Sequence, residues 1–423
     1  SITTAGDTVL THVASATDLD ANDITVVASA GDITIGEVLG VGGTATDVTL
    51  TATAGSINDA NDDIVVDILG DVVTLTARDE IGGSAAAMVI DTAGAIETTA
   101  NTLDLSVTGS GDIVVTETDA VTGAGIDTAA GSITLTTGGD LTLTGDITTG
   151  DDDNSETGTN EPGVDALTGD ITIDVTGILS GAATIETGYA RADAGVDDAV
   201  TAESGKIEIT ASSHVQDVDI ITGLADVVNA DGLPDLATVG LISVTSTGGS
   251  IGEAVGDRVS VTTGEPTVDG VAGTEGSITL SAVAGSIFAD SASDVWLGAA
   301  TAATLIDLDV AGKVNDFTSG ADAGVDLSAP TVVVEADGEI GGLTALESTT
   351  ADLTAHATAA GDIVITETDG VTLTDVDTTD GSITITTNGD TVVTDVEIAD
   401  AGDSDANDIT ITAATGNITV GEV

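Results

Sequence analysis

Three short acidic stretches carry the residues best suited to chemistry. DLDANDI (18–24) and DSDANDI (403–409) place Asp, Asp and Asn at alternate positions and add a further Asp. INDANDDI (57–64) is a near relative. Oxygen ligands at alternate positions of a short loop are what a hard cation needs. The candidate calcium ligands are therefore Asp18, Asp20, Asn22 and Asp23, then Asp59, Asn61 and Asp63, and finally Asp403, Asp405, Asn407 and Asp408. The glycine at position six and the distal Glu of the helix–loop–helix calcium loop are absent. So is the glycine-rich nonapeptide of calcium-binding secreted repeats. A solvated polar corner is the plainer use of the same residues, and calcium is the one cofactor these stretches suggest.

Other chemistries find less support. A glycosidase needs two facing carboxylates, and these abound. The positive charge that would hold an acidic sugar is missing: Arg78, Arg191, Lys206, Arg258 and Lys313 are the only basic residues, and they are not clustered. His12, His214 and His356 stand apart from one another. There is no phosphate-binding glycine loop before a helix, and with no Cys in the chain there is no thiol chemistry, disulfide or Cys/His metal cluster. The expectation is a protein that is not an enzyme.

Against those five basic residues stand 73 acidic ones, a net charge of −68 over 423 residues. Such a chain repels nucleic acid and anionic membrane surfaces. No apolar run approaches the roughly 18 residues that span a bilayer, so no membrane insertion is expected. The chain opens on SITTAGD, without Met or a signal peptide, which suggests a processed or excised piece.

The elements that position these residues are short strands. DITVVAS (23–29), VTLTATA (48–54), ITLTT (133–137) and ITITT (383–387) alternate Ile, Val or Leu with Thr. One face is buried and the other, β-branched and polar, meets water. Gly followed by Asp, Ser or Asn and an aliphatic residue punctuates the strands, as at Gly31, Gly55, Gly111, Gly131, Gly169, Gly361 and Gly381. Glycine suits a tight corner, and the Asp or Ser after it is expected to bond the local backbone. Intervals of about 20–25 residues predict the coils of a parallel β-helix, stacked about 4.8 Å apart. Aromatic residues make up 1% of the chain, too few for a string of β-sandwich modules, each with its aromatic core. The fold class predicted is all-β, a parallel β-helix solenoid. AATAATLIDLD (299–309) is the one place where a short helix is tempting.

Longer repeats overlie the coil. GDIVVTETDAVTGAGIDTAAGSITLTT (111–137) matches 361–387 at 18 of 27 positions, and EIGG recurs at 80–83 and 339–342. ANDITVVASAGDITIGEV (21–38) matches 406–423 at 12 of 18 positions, so 386–423 re-enters the sequence of 1–38. Residues 1–423 then read as one continuous solenoid, a window on a longer array with a unit of about 385 residues. Two spans, 150–165 and 190–205, break the rhythm and read as loop excursions.

GSITLTT, GDLTLTG, TATAGSIND, GGSIGEA and GDIVITETDGVTL resemble the repeats of filamentous haemagglutinin-like proteins and other giant bacterial surface adhesins. The resemblance implies a right-handed β-helix, an extracellular cell-surface location, and work in adhesion, biofilm or cell-surface fibres. Expected partners are further copies of the same repeat, end to end, and a host, cell-surface or glycan receptor. Extreme acidity sets this chain apart from that family. The alternative is a self-assembling subunit of an extracellular filament, sheath or surface layer, dependent on calcium.

Overall fold

The computed structural model describes residues 1–17, 22–40, 45–60, 64–82, 94–154, 162–195, 200–228, 235–268, 271–317, 324–342, 344–399 and 407–421. Among them there is no α-helix, and the chain is a parallel β-helix solenoid. No helix is long and apolar enough to cross a membrane among the described residues. Two compact units divide the chain. One holds 1–211, 221–240 and 264–274; the other holds 212–220, 241–263 and 275–423.

In the first unit, strand Ile24–Ala28 pairs in parallel with Val48–Ala52, which pairs with the second half of Ile68–Ala77. Farther on, Ile113, Ile133, Ile171 and Ile207 stack directly on one another, each fully buried. Val115, Leu135, Ile173 and Ile209 form the next column inward. Burying one such side chain contributes roughly 1.5–3 kcal/mol, and each coil repeats the gain. The outward Thr residues also line up: Thr25, Thr49 and Thr74 share one column, as do Thr366, Thr386 and Thr412 in the second unit.

Coil length is not uniform. Corner to corner, the chain advances 20 residues from Asp112 to Ser132, then 38 to Asp170 and 36 to Lys206. The longer coils include the spans expected as loops, 150–165 and 190–205. Their described residues leave the main coil but form strands. Asp152–Asp153, Ala190–Gly195, Ala225–Val228 and Pro266–Val268 pair in succession. Ala166–Leu167, Thr201–Glu203 and Leu236–Thr238 do the same beside them. Six alanines (166, 190, 192, 202, 225 and 237) with Val200, Val227 and Val239 fill the space between as a second small core. Strands this short, whose buried residues are mostly Ala, give almost no alternating hydrophobic signal.

In the second unit, Leu346–Thr349, Ile363–Glu367, Ile383–Thr387 and Ile409–Ala413 pair in sequence order. Beside them run Thr331–Ala336, Asp352–Ala357 and Val371–Thr378. The helix that AATAATLIDLD invited is not there: Val295–Ala302 and Leu305–Val310 are strands. Ala300, Ala302, Ile306, Leu308 and Val310 face inward. This burial overrides the helical preference of alanine.

The sequence repeats are structural repeats. In both EIGG copies the first glycine is left-handed, with φ of 67° at Gly82 and 69° at Gly341. A Cβ there would meet the carbonyl oxygen of Val114 or Val364 at 2.2 Å. The strands Ile24–Ala28 and Ile33–Ile35 recur as Ile409–Ala413 and Ile418–Val420. Ile24, Val26 and Ala28 are buried, whereas the matching Ile409, Ile411 and Ala413 are half-exposed.

Candidate functional site

The Gly–Asp corners were expected to close on their own backbone. They bond instead from coil to coil. Asp112 Oδ1 accepts the backbone N–H of Ser132 at 2.7 Å, and Asp362 Oδ1 accepts that of Ser382 at 2.7 Å. Asp170 Oδ1 accepts from Lys206 N at 2.9 Å and Asp140 Oδ1 from Ile178 N at 2.8 Å; Asp165, which follows Val164 and not a glycine, accepts from Thr201 N in the same way at 2.7 Å. Where serine replaces aspartate, its hydroxyl does the same work, as Ser132 Oγ does for Asp170 N at 3.1 Å. The glycine is required by a close approach. A Cβ on Gly131 would lie 1.9 Å from the carbonyl oxygen of Gly111, and one on Gly169 would lie 2.0 Å from that of Gly131. Stacked glycines let the corners touch, and the next residue ties each corner to the one above. Thr149 and Thr187 build a second such column: each hydroxyl donates to a glycine carbonyl and accepts a glycine N–H.

The calcium candidates divide. Asp18, Asp20, Asn61, Asp63, Asp403 and Asp405 lie outside the described residues. Asp23 is a corner aspartate, its Oδ1 accepting from Asp47 N at 3.3 Å. Asn22 donates to the Thr17 carbonyl and hydroxyl, and Asn407 donates to Asp380 Oδ1 at 2.7 Å. Asp408 donates its N–H to Ser382 Oγ at 3.4 Å. Only Asp59, among the described candidates, joins an acidic group. Its carboxylate lies with those of Asp67 and Glu97, the ligand oxygens all within 4.8 Å of one another. Asp67 and Glu97 are buried, and nothing in the local spacing announced them, because 30 residues of chain separate them. Such an oxygen set could hold a hard cation.

Three buried acids were not anticipated either. Glu117 is fully buried at the end of strand Ile113–Glu117. Its Oε2 accepts from Thr98 Oγ1 at 2.8 Å and Ala100 N at 3.0 Å; its Oε1 accepts from Thr118 N at 2.8 Å. Burial pushes its carboxyl up to about 8, and the Thr98 hydroxyl pulls the other way. Glu367, its repeat equivalent, accepts from Ser348 Oγ at 2.6 Å and is pushed up to about 7 by burial. Asp326 is also pushed up to about 7 by burial, while the Glu347 N–H it accepts at 2.8 Å opposes the shift.

Each basic residue is paired with an acid: Arg78 with Asp79, Arg191 with Asp226, Lys206 with Asp170, Arg258 with Asp307, and Lys313 with Glu339. Only the Arg258 pair is largely buried, with both side chains 10% exposed. Its guanidinium donates to Asp307 Oδ1 at 2.7 Å and to the carbonyls of Asp307 and Ala289. It thus spans three successive coils.

Comparison of the chain with protein-family models, with curated proteins and with solved structures returns no match.

Proposed function

We propose that the chain is a structural module of an extracellular surface fibre or giant adhesin, a stiff acidic solenoid that works mechanically and not as an enzyme. The observation that carries this reading is the use of the corner aspartates. A catalytic surface would aim its carboxylates at a substrate; here they repeatedly hold the backbone of the next coil. Acids spent in this way build a stack whose length is set by the number of repeats. The paired state of all five basic residues leaves no cationic cradle for an anionic substrate.

Self-association is the second reading. In-register parallel stacking supports it, because a strand such as Ile24–Ala28 is paired on both sides, with Ile2–Thr4 and with Val48–Ala52, and a coil of a second copy could pair in the same way. Antibody labelling of intact cells tests the surface assignment, with micrographs of the labelled material. Fibres or a surface coat decorated without lysis are expected. Labelling that requires lysis would sink the reading.

A further inference from the structure

The repeat that runs from 96 to 137 and again from 346 to 387 contains its own control. In the first copy, Ser106 on strand Ile96–Val107 donates to Asp127 Oδ2 on the next coil at 2.9 Å. In the second copy the position of Ser106 is His356, that of Gly125 is Asp375, and that of Asp127 remains Asp377. Both copies share the same register shift, after Leu103 in one and after Leu353 in the other. The backbone is kept, and two side chains have been exchanged for metal-ligating ones.

The resulting geometry is not that of hydrogen bonds. His356 Nε2 lies 3.5 Å from Asp375 Oδ2 and 3.6 Å from Asp377 Oδ1. At those separations neither pair is a hydrogen bond. Both His356 Nε2 and Asp377 Oδ1 are shielded from solvent and have no hydrogen-bond partner. One ligand atom from each residue lies within 4.8 Å of the others. Ligands about 2.0–2.2 Å from a tetrahedral ion sit about 3.3–3.6 Å from each other, which is the spacing seen from the imidazole to each carboxylate. Asp375 and Asp377 are two apart on one strand and so face the same way, while Val376 between them is buried.

The surrounding charge favours a cation. Asp309, Glu335, His356, Asp377 and Glu397 occupy one column across five coils in register. Strands in such a column are about 4.8 Å apart. The imidazole nitrogen selects against calcium, which takes oxygen, and for a borderline ion such as zinc.

We propose that His356, Asp375 and Asp377 form a surface site for a divalent transition-metal ion of the zinc class, with its remaining position open to water. The ion would staple two adjacent coils where acidic side chains otherwise repel. It is distinct from the calcium candidates in residues and in chemistry.

Cobalt(II) is the probe, titrated into the full chain in about 0.5 M NaCl with excess calcium to suppress diffuse binding. One equivalent is expected to bind with the intense visible absorption of low-coordinate cobalt, and zinc should displace it. His356→Gln and Asp377→Asn should each weaken binding at least about tenfold with unchanged circular dichroism. His12→Gln should leave it intact. A signal that survives His356→Gln, or that follows His12 instead, overturns the proposal. The reciprocal graft guards against misfolding of the loss variants. Ser106→His with Gly125→Asp should raise the stoichiometry from one to two, since a Cβ at Gly125 meets nothing closer than 3.8 Å. A folded graft that binds no second equivalent also counts against it.

Discussion

Glu117 and Glu367 show how a single side chain can be placed for structure in a chain crowded with acids. Each is the last residue of its strand, is fully buried, and accepts hydrogen bonds from a hydroxyl on the coil below and from backbone N–H groups. Their carboxyls are raised above the ordinary value of 4.5, to about 8 and about 7, so the folded state holds protons that the unfolded chain releases. The sign follows from linkage: their contribution is fully present below about pH 4.5 and is lost as pH rises through 7 to 8. Thermal unfolding should therefore give a higher midpoint at pH 5 than at pH 8.5. Glu117→Gln should flatten that slope. It should also destabilise at pH 5 by about 1–3 kcal/mol, because its NH2 must face an N–H donor whichever way it turns. An unchanged slope in the variant would show that Glu117 does not carry the dependence. Arg258 is the opposite case, one buried cation tying three coils together. Arg258→Met should cost about 3–5 kcal/mol in urea unfolding, chiefly by leaving the Asp307 carboxylate buried without its ion-pair partner. A loss below about 1 kcal/mol would mean that the Asp307 charge is solvated or neutral.

At the scale of the coil, glycine and aspartate act as a pair. Gly131→Ala places a methyl 1.9 Å from the Gly111 carbonyl oxygen and should destabilise by about 3 kcal/mol, because two backbones must part. Gly125→Ala, with its nearest neighbour at 3.8 Å, should be close to neutral. Asp112→Ala should cost about 1–2 kcal/mol by orphaning Ser132 N–H. Denaturation midpoints of the three variants check this ranking, and equal costs for Gly131 and Gly125 would refute the stacked-corner account. The alternation of Ile and Thr made the main coils legible, since a period of two over five residues leaves few other folds. The recurring Gly–Asp pair marked the corners, but its partner was hidden: the bond from Asp112 to Ser132 crosses 20 residues, and that from Asp140 to Ile178 crosses 38. Local spacing cannot reveal a contact made through stacking. The same limit hid Glu97 from Asp59 and Asp375 from His356. The alanine-lined layer over Ala190–Gly195 and Ala225–Val228 was missed for another reason: its strands carry too little apolar volume to stand out from polar loops.

Across the whole molecule, the governing quantity is −68 of charge held on stacked coils. In-register columns place acids about 4.8 Å apart, well inside the roughly 10 Å screening length of about 0.1 M salt. Repulsion therefore opposes each added coil, while burial of its Ile, Val and Leu favours it. The unfolded chain spreads the same charge over a larger volume, so salt should stabilise the folded state more than the unfolded one. A divalent cation that bridges carboxylates of adjacent coils should do so beyond its ionic strength. Folding would then be favoured where cations are abundant. The urea midpoint, followed by circular dichroism near 218 nm, should rise steadily from about 0.05 to 1 M NaCl. Calcium should raise it further than sodium at equal ionic strength. Diffuse screening predicts equal midpoints for the two salts, whereas bridging predicts a calcium increment that saturates. A chain that keeps full β-sheet content and the same midpoint in chelator at low salt would show that hydrophobic stacking alone outweighs the charge, and the cation-driven folding route would have to be abandoned.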